Sequence, residues 1–265
     1  MECSALAEPD LPKGRYSRNG KESDMSKSGS VGKVVILAGG QGKRLAPYTV
    51  VLPKPLMPVC DAPILEIIIQ QLKSYGLNDL ILSIGHLGNL IQTFFGNGSK
   101  FGVKISYSIE DKPLGTVGPL TLIDNLENTF ILMNGDLLTT LDYDELIKYH
   151  RKKGGIATIA VQNREVGIDY GVIKSENDEL SDYIEKPILE YMVSMGIYVF
   201  EPEVLKYIPQ NSKLDFPELM KLLLKGKKKV ALYRSKDFWL DIGRHEDYQK
   251  AIEVYDKIKS ELFKR

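Results

Sequence analysis

A glycine-rich stretch early in the sequence has the residue types needed to bind phosphate. It reads L-A-G-G-Q-G-K-R-L (37–45) and comes directly off the apolar run VVILA (34–38). Three glycines in four positions let backbone N–H groups approach phosphate oxygens, because no Cβ stands in the way. Arg44 adds a planar guanidinium, and Lys54 adds a second cation between two stiffening prolines in P-K-P-L-M-P-V. The stretch therefore predicts a phosphate-binding loop, with an ordinary structural turn as the alternative.

Two common nucleotide-binding motifs do not fit this stretch. A Walker A loop requires serine or threonine after its lysine, but Lys43 is followed by Arg44. A dinucleotide-binding fingerprint that starts at Gly40 requires glycine at position 45, where the sequence has Leu45. A convincing ribose-binding acid after the second predicted strand is also missing. The sequence therefore disfavours a nicotinamide-dependent dehydrogenase.

Two aspartates follow apolar runs that predict strands. Asp136 closes N-G-D (134–136), and Asp241 lies within W-L-D-I-G (239–243). In an open α/β sheet, ligands bind in the crevice outside the carboxyl ends of the strands. An aspartate after a strand is also a common helix N-cap or turn former. Both aspartates are therefore candidate site residues, with capping as the alternative.

The histidines carry no recognisable chemical pattern. His86, His150 and His245 each lie near the end of a predicted helix, without metal-ligand spacing or a partnered serine or cysteine. They are predicted to have surface or capping roles, and Trp239 is predicted to belong to the core. The sequence thus offers no convincing histidine or cysteine nucleophile.

The elements that must position these residues alternate between strand and helix. Apolar periodicity predicts strands over 34–38, 80–84, 103–107, 130–134 and 156–161, and helices over 62–75, 89–95 and 143–153. After about residue 165 short strands follow one another, over 170–174, 182–186 and 193–200, before helices over 215–224 and 245–259 flank a strand over 230–233. This order predicts an α/β fold, with a doubly wound, mostly parallel mixed sheet and a small second subregion.

Composition narrows the class of protein. Residues 1–30 are rich in Ser, Gly, Lys, Asn and Pro without apolar periodicity, and are predicted to be a flexible tail or linker preceding a single domain over 31–265. The formal net charge is zero, which gives no global attraction to nucleic acid or anionic lipid. Cys3 and Cys60 cannot make a disulfide framework, and no apolar run approaches the roughly 20 residues of a membrane span. The N-terminus lacks the pattern of a signal peptide, so a cytoplasmic location is predicted.

The stretch LAGGQGKRLAPYT…PKPLMPV resembles the signature of the sugar nucleotidyltransferase family. That family includes mannose-1-phosphate and heptose-1-phosphate guanylyltransferases and glucose-1-phosphate thymidylyltransferases. The resemblance extends over nearly all of residues 33–255. It implies an enzyme that joins a nucleoside triphosphate to a sugar-1-phosphate and releases pyrophosphate. It also implies a nucleotide-binding half over about 33–165 and a sugar-binding, metal-completing half over about 166–265.

The segment P-L-G-T-V-G-P-L (113–120) resembles the family's second nucleotide segment, commonly L-G-T-A-G. By that match Glu110 is a base-reading residue, whose carboxylate could accept from both N1–H and N2–H₂ of guanine. The resemblance therefore favours GTP, leaving UTP, CTP and dTTP open, while a solvated residue at a strand end is the alternative for Glu110. The nucleotide-binding residues that it implies are Leu37, Gly39, Gly40, Gly42, Arg44, Glu110, Gly115 and Thr116.

The resemblance also implies the catalytic groups. Asp136 and Asp241 would bind a Mg²⁺ cofactor that bridges the phosphates, in keeping with the one or two protein carboxylates that Mg²⁺ usually takes. Arg44 would hold the β- and γ-phosphates, Lys54 would stabilise charge at the α-phosphate, and Lys186 would hold the sugar phosphate. Whether a second metal ion joins the first is left open.

The sugar site is implied by segments in the second half of the chain. Y-G-V-I (170–173) and I-E-K-P (184–187) resemble segments that hold sugar hydroxyls. V-S-M-G-I-Y-V-F (193–200) departs from the usual N-A-G-I-Y, because serine replaces asparagine and Met195 replaces alanine, so the identity of the sugar is not carried over. The sugar-binding residues implied are Asn134, Tyr170, Gly171, Glu185, Lys186 and Ser194.

The same residues are compatible with three functions. The favoured one is the transferase, with a nucleoside triphosphate and a sugar-1-phosphate as its partners and with no nucleic acid or membrane. A non-catalytic relative that binds a nucleotide or nucleotide sugar as a regulator is disfavoured, because the cations and both aspartates are intact. The dehydrogenase is suggested only by the glycine-rich turn. A homo-oligomeric state is left open.

Overall fold

The computed structural model describes residues 31–263, so the predicted tail over 1–30 lies outside the described residues. The strands are β1 (Lys33–Leu37), β2 (Pro58–Val59), β3 (Ala62–Pro63), β4 (Asp79–Ile84), β5 (Lys104–Ile109), β6 (Phe130–Asn134), β7 (Leu137–Thr139), β8 (Ala157–Gly167), β9 (Val172–Glu176), β10 (Glu179–Ile184), β11 (Ile188–Phe200), β12 (Val230–Arg234) and β13 (Trp239–Asp241). The α-helices are α1 (Ile64–Ser74), α2 (Gly88–Phe95), α3 (Tyr143–Lys153), α4 (Phe216–Lys225) and α5 (His245–Leu262).

A seven-stranded mixed sheet in the order β12-β8-β11-β6-β1-β4-β5 forms the centre of the molecule. β1 pairs in parallel with both β4 and β6, and β5 pairs in parallel with β4. β11 runs antiparallel to both of its neighbours, β6 and β8. Because β1 is flanked on both sides and covered on both faces, its sequence KVVIL is almost continuously apolar. The predicted mostly parallel mixed sheet is confirmed.

Helices cover both faces of the sheet. Apolar side chains of α1, α2, α3 and α5 join one buried cluster, which includes Ile68, Phe95 and Tyr255. Leu219 and Leu223 of α4 join a second cluster on the other side of the strands. Each helix thus buries its apolar stripe against one face of the sheet, which gives the doubly wound arrangement.

Several boundaries differ from those predicted. The first helix begins at residue 64 and not 62, because Ala62–Pro63 pairs with Pro58–Val59 in a short hairpin. The strand predicted over 103–107 occupies Lys104–Ile109. The ends of helices and strands are the positions that a periodic sequence pattern defines least.

An arm projects beyond the main sheet. β8 continues to Gly167 and β11 begins at Ile188, so both are longer than the predicted strands. Between them β9 and β10 form a separate antiparallel pair, most of whose side chains are exposed. The strands predicted over 170–174 and 182–186 lie in this arm, as Val172–Glu176 and Glu179–Ile184. Within residues 31–263 no helix is both long and apolar enough to cross a membrane.

Candidate active site

A cavity of about 740 Å³ opens at the carboxyl ends of the parallel strands. Leu37 at the end of β1 and Asn134 at the end of β6 line it, together with Gly85 after β4 and Glu110 after β5. This is the edge at which open α/β sheets bind their ligands. The glycine-rich stretch and the segment around Gly115 both reach this cavity.

Two glycines of the glycine-rich loop, Gly42 and Gly40, have different surroundings. Gly42 has a φ of 61°, and the Thr49 hydroxyl donates to its carbonyl at 2.8 Å. A Cβ at Gly42 would lie 2.9 Å from a Thr49 methyl carbon, whereas a Cβ at Gly40 would meet nothing within 4 Å. The backbone at Gly40 is therefore accessible to a ligand, while Gly42 sets the bend of the loop.

Cationic side chains line one part of the cavity. Lys54 begins a short 3₁₀ helix whose next two residues are buried, and its ammonium pairs with the carboxylate of Asp136. The Arg44 guanidinium lies beside Gly243, where a Cβ would be 3.2 Å from one of its nitrogens. Lys43, which the sequence patterns did not single out, also lines the cavity. Positive charge is thus concentrated where the loop could hold phosphates.

Asp136 and Asp241 are brought together by strand pairing. β13 runs antiparallel to β7, with Asp241 opposite Leu137, and the Ile242 N–H donates to the Asp136 carbonyl at 3.0 Å. Asp136 lines the cavity. Burial, and next the negative charge of Asp136, raise the pKa of Asp241, while Lys54 and Arg44 oppose that rise. Two carboxylates, of which Asp136 lines the cavity, are therefore held close, at an electrostatic cost.

The two carboxylates fit a hard divalent cation. The Oδ1 atoms of Asp136 and Asp241 are both buried without a hydrogen-bond partner among the described residues. In the described part of the chain, no group of three or more His, Cys, Asp or Glu side chains is arranged to hold a metal. A cation here would therefore take two protein carboxylates and complete its shell with substrate and water oxygens, as Mg²⁺ usually does.

Glu110 is half-buried at the end of β5 and is not a solvated strand-end residue. Its Oε2 accepts from the Leu114 N–H at 2.9 Å, and its Oε1 accepts from the Ser83 hydroxyl at 3.4 Å. Burial raises the pKa of Glu110, and these two donors oppose the rise. The carboxylate thus shapes the following loop as well as lining the cavity.

The predicted sugar-binding residues fall into two groups. Asn134 lines the cavity and packs against Gly196, whose φ is 72°. Ser194 is nearby in β11, where its hydroxyl donates to the Tyr198 hydroxyl at 3.0 Å and accepts from the Gly196 N–H. This group is therefore joined to the cavity through the pairing of β6 and β11.

The second sugar group belongs to the arm and does not line the cavity. Glu185 accepts from the Tyr183 hydroxyl at 3.0 Å, and a Cβ at Gly171 would overlap that hydroxyl. Tyr170 is 79% exposed, and Lys186 is exposed with a φ of 45°. The structure thus brings Gly171 and Glu185 next to each other, but not to the glycine-rich loop.

The predicted surface or capping role is wrong for His150. Its ring is buried, with Nδ1 2.7 Å from the Thr158 hydroxyl and Nε2 2.9 Å from a Glu201 carboxylate oxygen. Although His150 lies in the last turn of α3, that turn packs against the sheet, which periodicity alone does not reveal. His245 is exposed and begins α5, as predicted. His86 is exposed and lines the cavity, a position that its sequence context did not signal.

The sequence predicted the environment of Trp239 but not the position of Asp215. Trp239 packs half-buried against the core, and its indole N–H donates to the Met195 carbonyl at 2.8 Å. Asp215, which precedes α4, lines the cavity although the sequence indicated only a helix start there. Its signal, D-F-P-E, is that of an ordinary helix N-terminus, so only the fold shows where that helix points.

Comparisons with known proteins agree on one family. The family model described as nucleotidyl transferase matches residues 33–258. UTP–glucose-1-phosphate uridylyltransferase of Synechocystis sp. is 36% identical over 246 residues, covering 83% of this chain and 62% of that protein. Mannose-1-phosphate guanylyltransferase catalytic subunit beta of Danio rerio is 31% identical over 232 residues, covering 84% of this chain and 64% of that protein. The chain therefore spans less than two thirds of the length of these relatives.

A solved structure matches at the level of the fold and the sequence. HddC from Yersinia pseudotuberculosis, complexed with GMP-PN, superposes with a TM-score of 0.65 at 26% identity. The match covers 84% of this chain and 99% of that one.

Proposed function

The chain belongs to the nucleotidyl transferase family, and we propose that it joins a nucleoside triphosphate to a sugar-1-phosphate, releasing pyrophosphate. One observation carries the proposal: the glycine loop, Arg44, Lys54 and Asp136 line a single cavity, and Asp241 lies beside Asp136. Relatives named for uridylyl and guanylyl transfer to sugar-1-phosphates support the same reaction. Arg44, Lys54 and Asp136 are the cavity residues on which it rests.

The reaction needs little covalent chemistry from the protein. A sugar-1-phosphate carries a charged oxygen, which attacks the α-phosphorus as the bond to the bridging oxygen of the β-phosphate breaks. The electron pair of that bond leaves with pyrophosphate, so no side-chain base is required. Catalysis is then a matter of positioning the reactants and neutralising developing charge.

The cations are assigned to successive phosphates. Arg44 and the backbone at Gly40 hold the β- and γ-phosphates, where a planar guanidinium and free N–H groups suit phosphate oxygens. Lys54 neutralises charge at the α-phosphate, and the buried residues that follow it keep its ammonium in place. Lys186 of the arm holds the incoming sugar phosphate, which requires that the arm and the cavity act on the same substrate.

Asp136 and Asp241 are proposed to hold Mg²⁺. When bound, the ion would withdraw charge from phosphate oxygens as pyrophosphate leaves. The partnerless buried oxygens of two neighbouring aspartates support this assignment, because most buried polar atoms in proteins are hydrogen-bonded. Their strand pairing fixes the spacing of the two ligands before any ion arrives.

GTP is the nucleotide that we favour. Glu110 lines the cavity beside the segment that matches the family's nucleotide segment, and a carboxylate can accept from two donors on guanine. Its two oxygens already contact Leu114 and Ser83, but each retains a further lone pair. The relatives include both a uridylyl and a guanylyl transferase, so UTP remains the chief competitor.

The sugar is assigned only as a hexose or heptose 1-phosphate. Asn134, Ser194 and the arm residues Tyr170, Gly171 and Glu185 are its proposed contacts. On this scheme residues from about 33–165 supply most of the nucleotide site, and those from about 166–265 complete the sugar and metal sites.

A matrix of nucleoside triphosphates against sugar-1-phosphates tests the proposal. The protein is incubated with Mg²⁺ and each pair, and pyrophosphate release is measured with reactions lacking the sugar as controls. We expect release with hexose- or heptose-1-phosphates, fastest with GTP. Tight nucleotide binding without pyrophosphate from any pair would favour a nucleotide-binding regulator.

A further inference from the structure

The nucleotide segment (113–120) is hydrogen-bonded to the chain that leads into α4. The Leu214 N–H donates to the Leu114 carbonyl at 2.9 Å, and the Leu214 carbonyl accepts from Val117 and Gly118 at 3.1 and 3.2 Å. These contacts join residues about a hundred positions apart. The segment is therefore paired, backbone to backbone, with residue 214.

A reciprocal pair of hydrogen bonds reinforces this junction. The Thr116 N–H donates to Asp215 Oδ1 at 3.0 Å, and the Phe216 N–H donates to the Thr116 hydroxyl at 2.6 Å. The Asp215 N–H in turn donates to Glu218 Oε2 at 2.8 Å, in the capping box that begins α4. We call this set of contacts, centred on Thr116 and Asp215, the clasp.

The clasp fixes a backbone conformation that residues other than glycine rarely adopt. Gly115 has a φ of 81°, and a Cβ there would lie 2.6 Å from both Asp215 Oδ1 and the Leu214 carbonyl oxygen. Gly115, Thr116 and Asp215 all line the cavity. The carboxylate that holds Thr116 is thus part of the cavity wall and not a remote support.

We propose that Asp215 is a positioning residue for the nucleotide, acting through Thr116. By accepting the Thr116 N–H it holds the backbone of residues 115 and 116 in the shape that the nucleotide meets. The inference rests on the proposed function for its substrate, while the clasp itself is a property of the free protein. It predicts that loss of Asp215 weakens nucleotide binding more than it slows turnover.

A plain capping role is the competing explanation, and the chain contains a matched control for it. Asp142 is the N-cap of α3, and its side chain accepts from the Glu145 N–H at 3.0 Å. No residue of α3 lines the cavity. Asp142→Ala therefore removes an aspartate N-cap of the same type without touching the nucleotide segment.

The test measures KM for the nucleoside triphosphate, KM for the sugar-1-phosphate and kcat in four variants. Asp215→Ala should raise KM for the nucleotide about tenfold, the lower end of what a hydrogen bond to a charged group contributes. Asp215→Asn should stay close to the wild type, because its amide oxygen can still accept from Thr116. Asp215→Ser should resemble Asp215→Ala, because serine caps a helix well but is one atom too short to reach Thr116. Asp142→Ala should leave both KM values unchanged.

Hydrogen exchange of the amides at 116–118 provides a second readout in the free protein. We expect faster exchange in Asp215→Ala and Asp215→Ser, and wild-type exchange in Asp142→Ala. An unchanged nucleotide KM in Asp215→Ser, or an equal rise in Asp142→Ala, would overturn the inference; Asp215→Ser carries the test if Asp215→Ala does not fold. If the wild-type protein releases no pyrophosphate, the proposed function is wrong. Independently of that result, amide exchange in Asp215→Ser as slow as in the wild type would reject the clasp.

Discussion

The Lys54 ammonium lies against one carboxylate oxygen of Asp136, and the other oxygen of Asp136 is buried without a partner among residues 31–263. One oxygen of the Asp136 carboxylate therefore orients the side chain, and the second oxygen has no partner among the described residues. Asp241, paired beside it through β7 and β13, presents a second buried oxygen of the same kind. A cation that joined these two oxygens would satisfy both and would offset the repulsion between the carboxylates.

Replacing either aspartate with asparagine should abolish most of the activity. Asp136→Asn and Asp241→Asn keep the shape of the side chain but remove a charge that the cation needs. We expect turnover to fall by about 10²–10⁴, the scale of a lost charge stabiliser. Pyrophosphate release at saturating substrate and Mg²⁺ measures the effect.

Asp79 offers a control for that experiment. It begins β4, lies outside the 740 Å³ cavity, and also has a buried Oδ1 without a partner in the described structure. Asp79→Asn should keep wild-type turnover. Near-normal turnover in Asp136→Asn or Asp241→Asn would reject the metal assignment, and equal losses in all three would point to a general effect on folding.

Asp241→Asn should also stabilise the metal-free protein at neutral pH. Burial raises the pKa of Asp241, and the negative charge of Asp136 raises it further. The folded protein therefore binds a proton at Asp241 more tightly than the unfolded chain does. The stabilising contribution of the protonated group is complete below the unfolded pKa and is lost as the pH rises through the raised folded pKa. At neutral pH the charged carboxylate therefore destabilises the fold, and asparagine removes that cost.

Thermal melting with a chelator, measured across the acid and neutral range, tests this sign. The Tm of Asp241→Asn should exceed that of the wild type at neutral pH, and the difference should shrink as the pH falls through the raised folded pKa and be gone below the ordinary aspartate value of about 4. Added Mg²⁺ should raise the Tm of the wild type more than that of the variant. A lower Tm for the metal-free variant at neutral pH would contradict the prediction.

The sequence predicted the sheet and singled out the glycine-rich stretch that lines the cavity, because both depend on local patterns. The run VVILA and the spacing of Ile64, Leu65 and Ile68 identify a buried strand and a helix face without any long-range information. Asp215 was missed because its nearest nucleotide-segment contact is Thr116, about a hundred residues away. Long-range pairings of this kind arise only when the elements pack.

His150 shows the same limit for a single side chain. Its position near a helix end suggested a surface or capping role, but the face of α3 that carries it is turned towards β8. No sequence pattern indicated that Thr158 and Glu201 would meet the two ring nitrogens. Local periodicity indicates which face of a helix is apolar, and it does not identify a polar side chain that is buried with its partners.

Replacing Gly115 should damage nucleotide binding, whereas replacing Gly76 should not. Both have positive φ, 81° and 74°, so alanine at either position incurs a backbone cost of roughly 1–2 kcal/mol. Only Gly115 also lacks room, because its Cβ would lie 2.6 Å from the Leu214 carbonyl oxygen, whereas a Cβ at Gly76 meets nothing within 4 Å. Urea unfolding and the KM for the nucleotide measure the two effects. Equal KM values in Gly115→Ala and Gly76→Ala would show that the close approach at Gly115 does not shape the site.

Replacing His150 should weaken the fold and leave the reaction intact. His150→Ala leaves the Thr158 hydroxyl without its ring partner in a buried site and opens space beneath α3, so we expect a loss of about 2–4 kcal/mol in the free energy of unfolding. Glu201 keeps its contact with Thr129, which limits the loss of stability on that side.

Because Thr129 precedes β6 and Glu201 follows β11, this network lies at the edge of the sheet opposite the cavity. We therefore expect no change in kcat or in either KM value. Lys148→Ala on the same helix as His150 removes an exposed pair with Glu145 and should leave the free energy of unfolding nearly unchanged. A urea midpoint in His150→Ala no lower than in Lys148→Ala would show that the buried network does not stabilise the fold, and a changed nucleotide KM would show that it acts on the site.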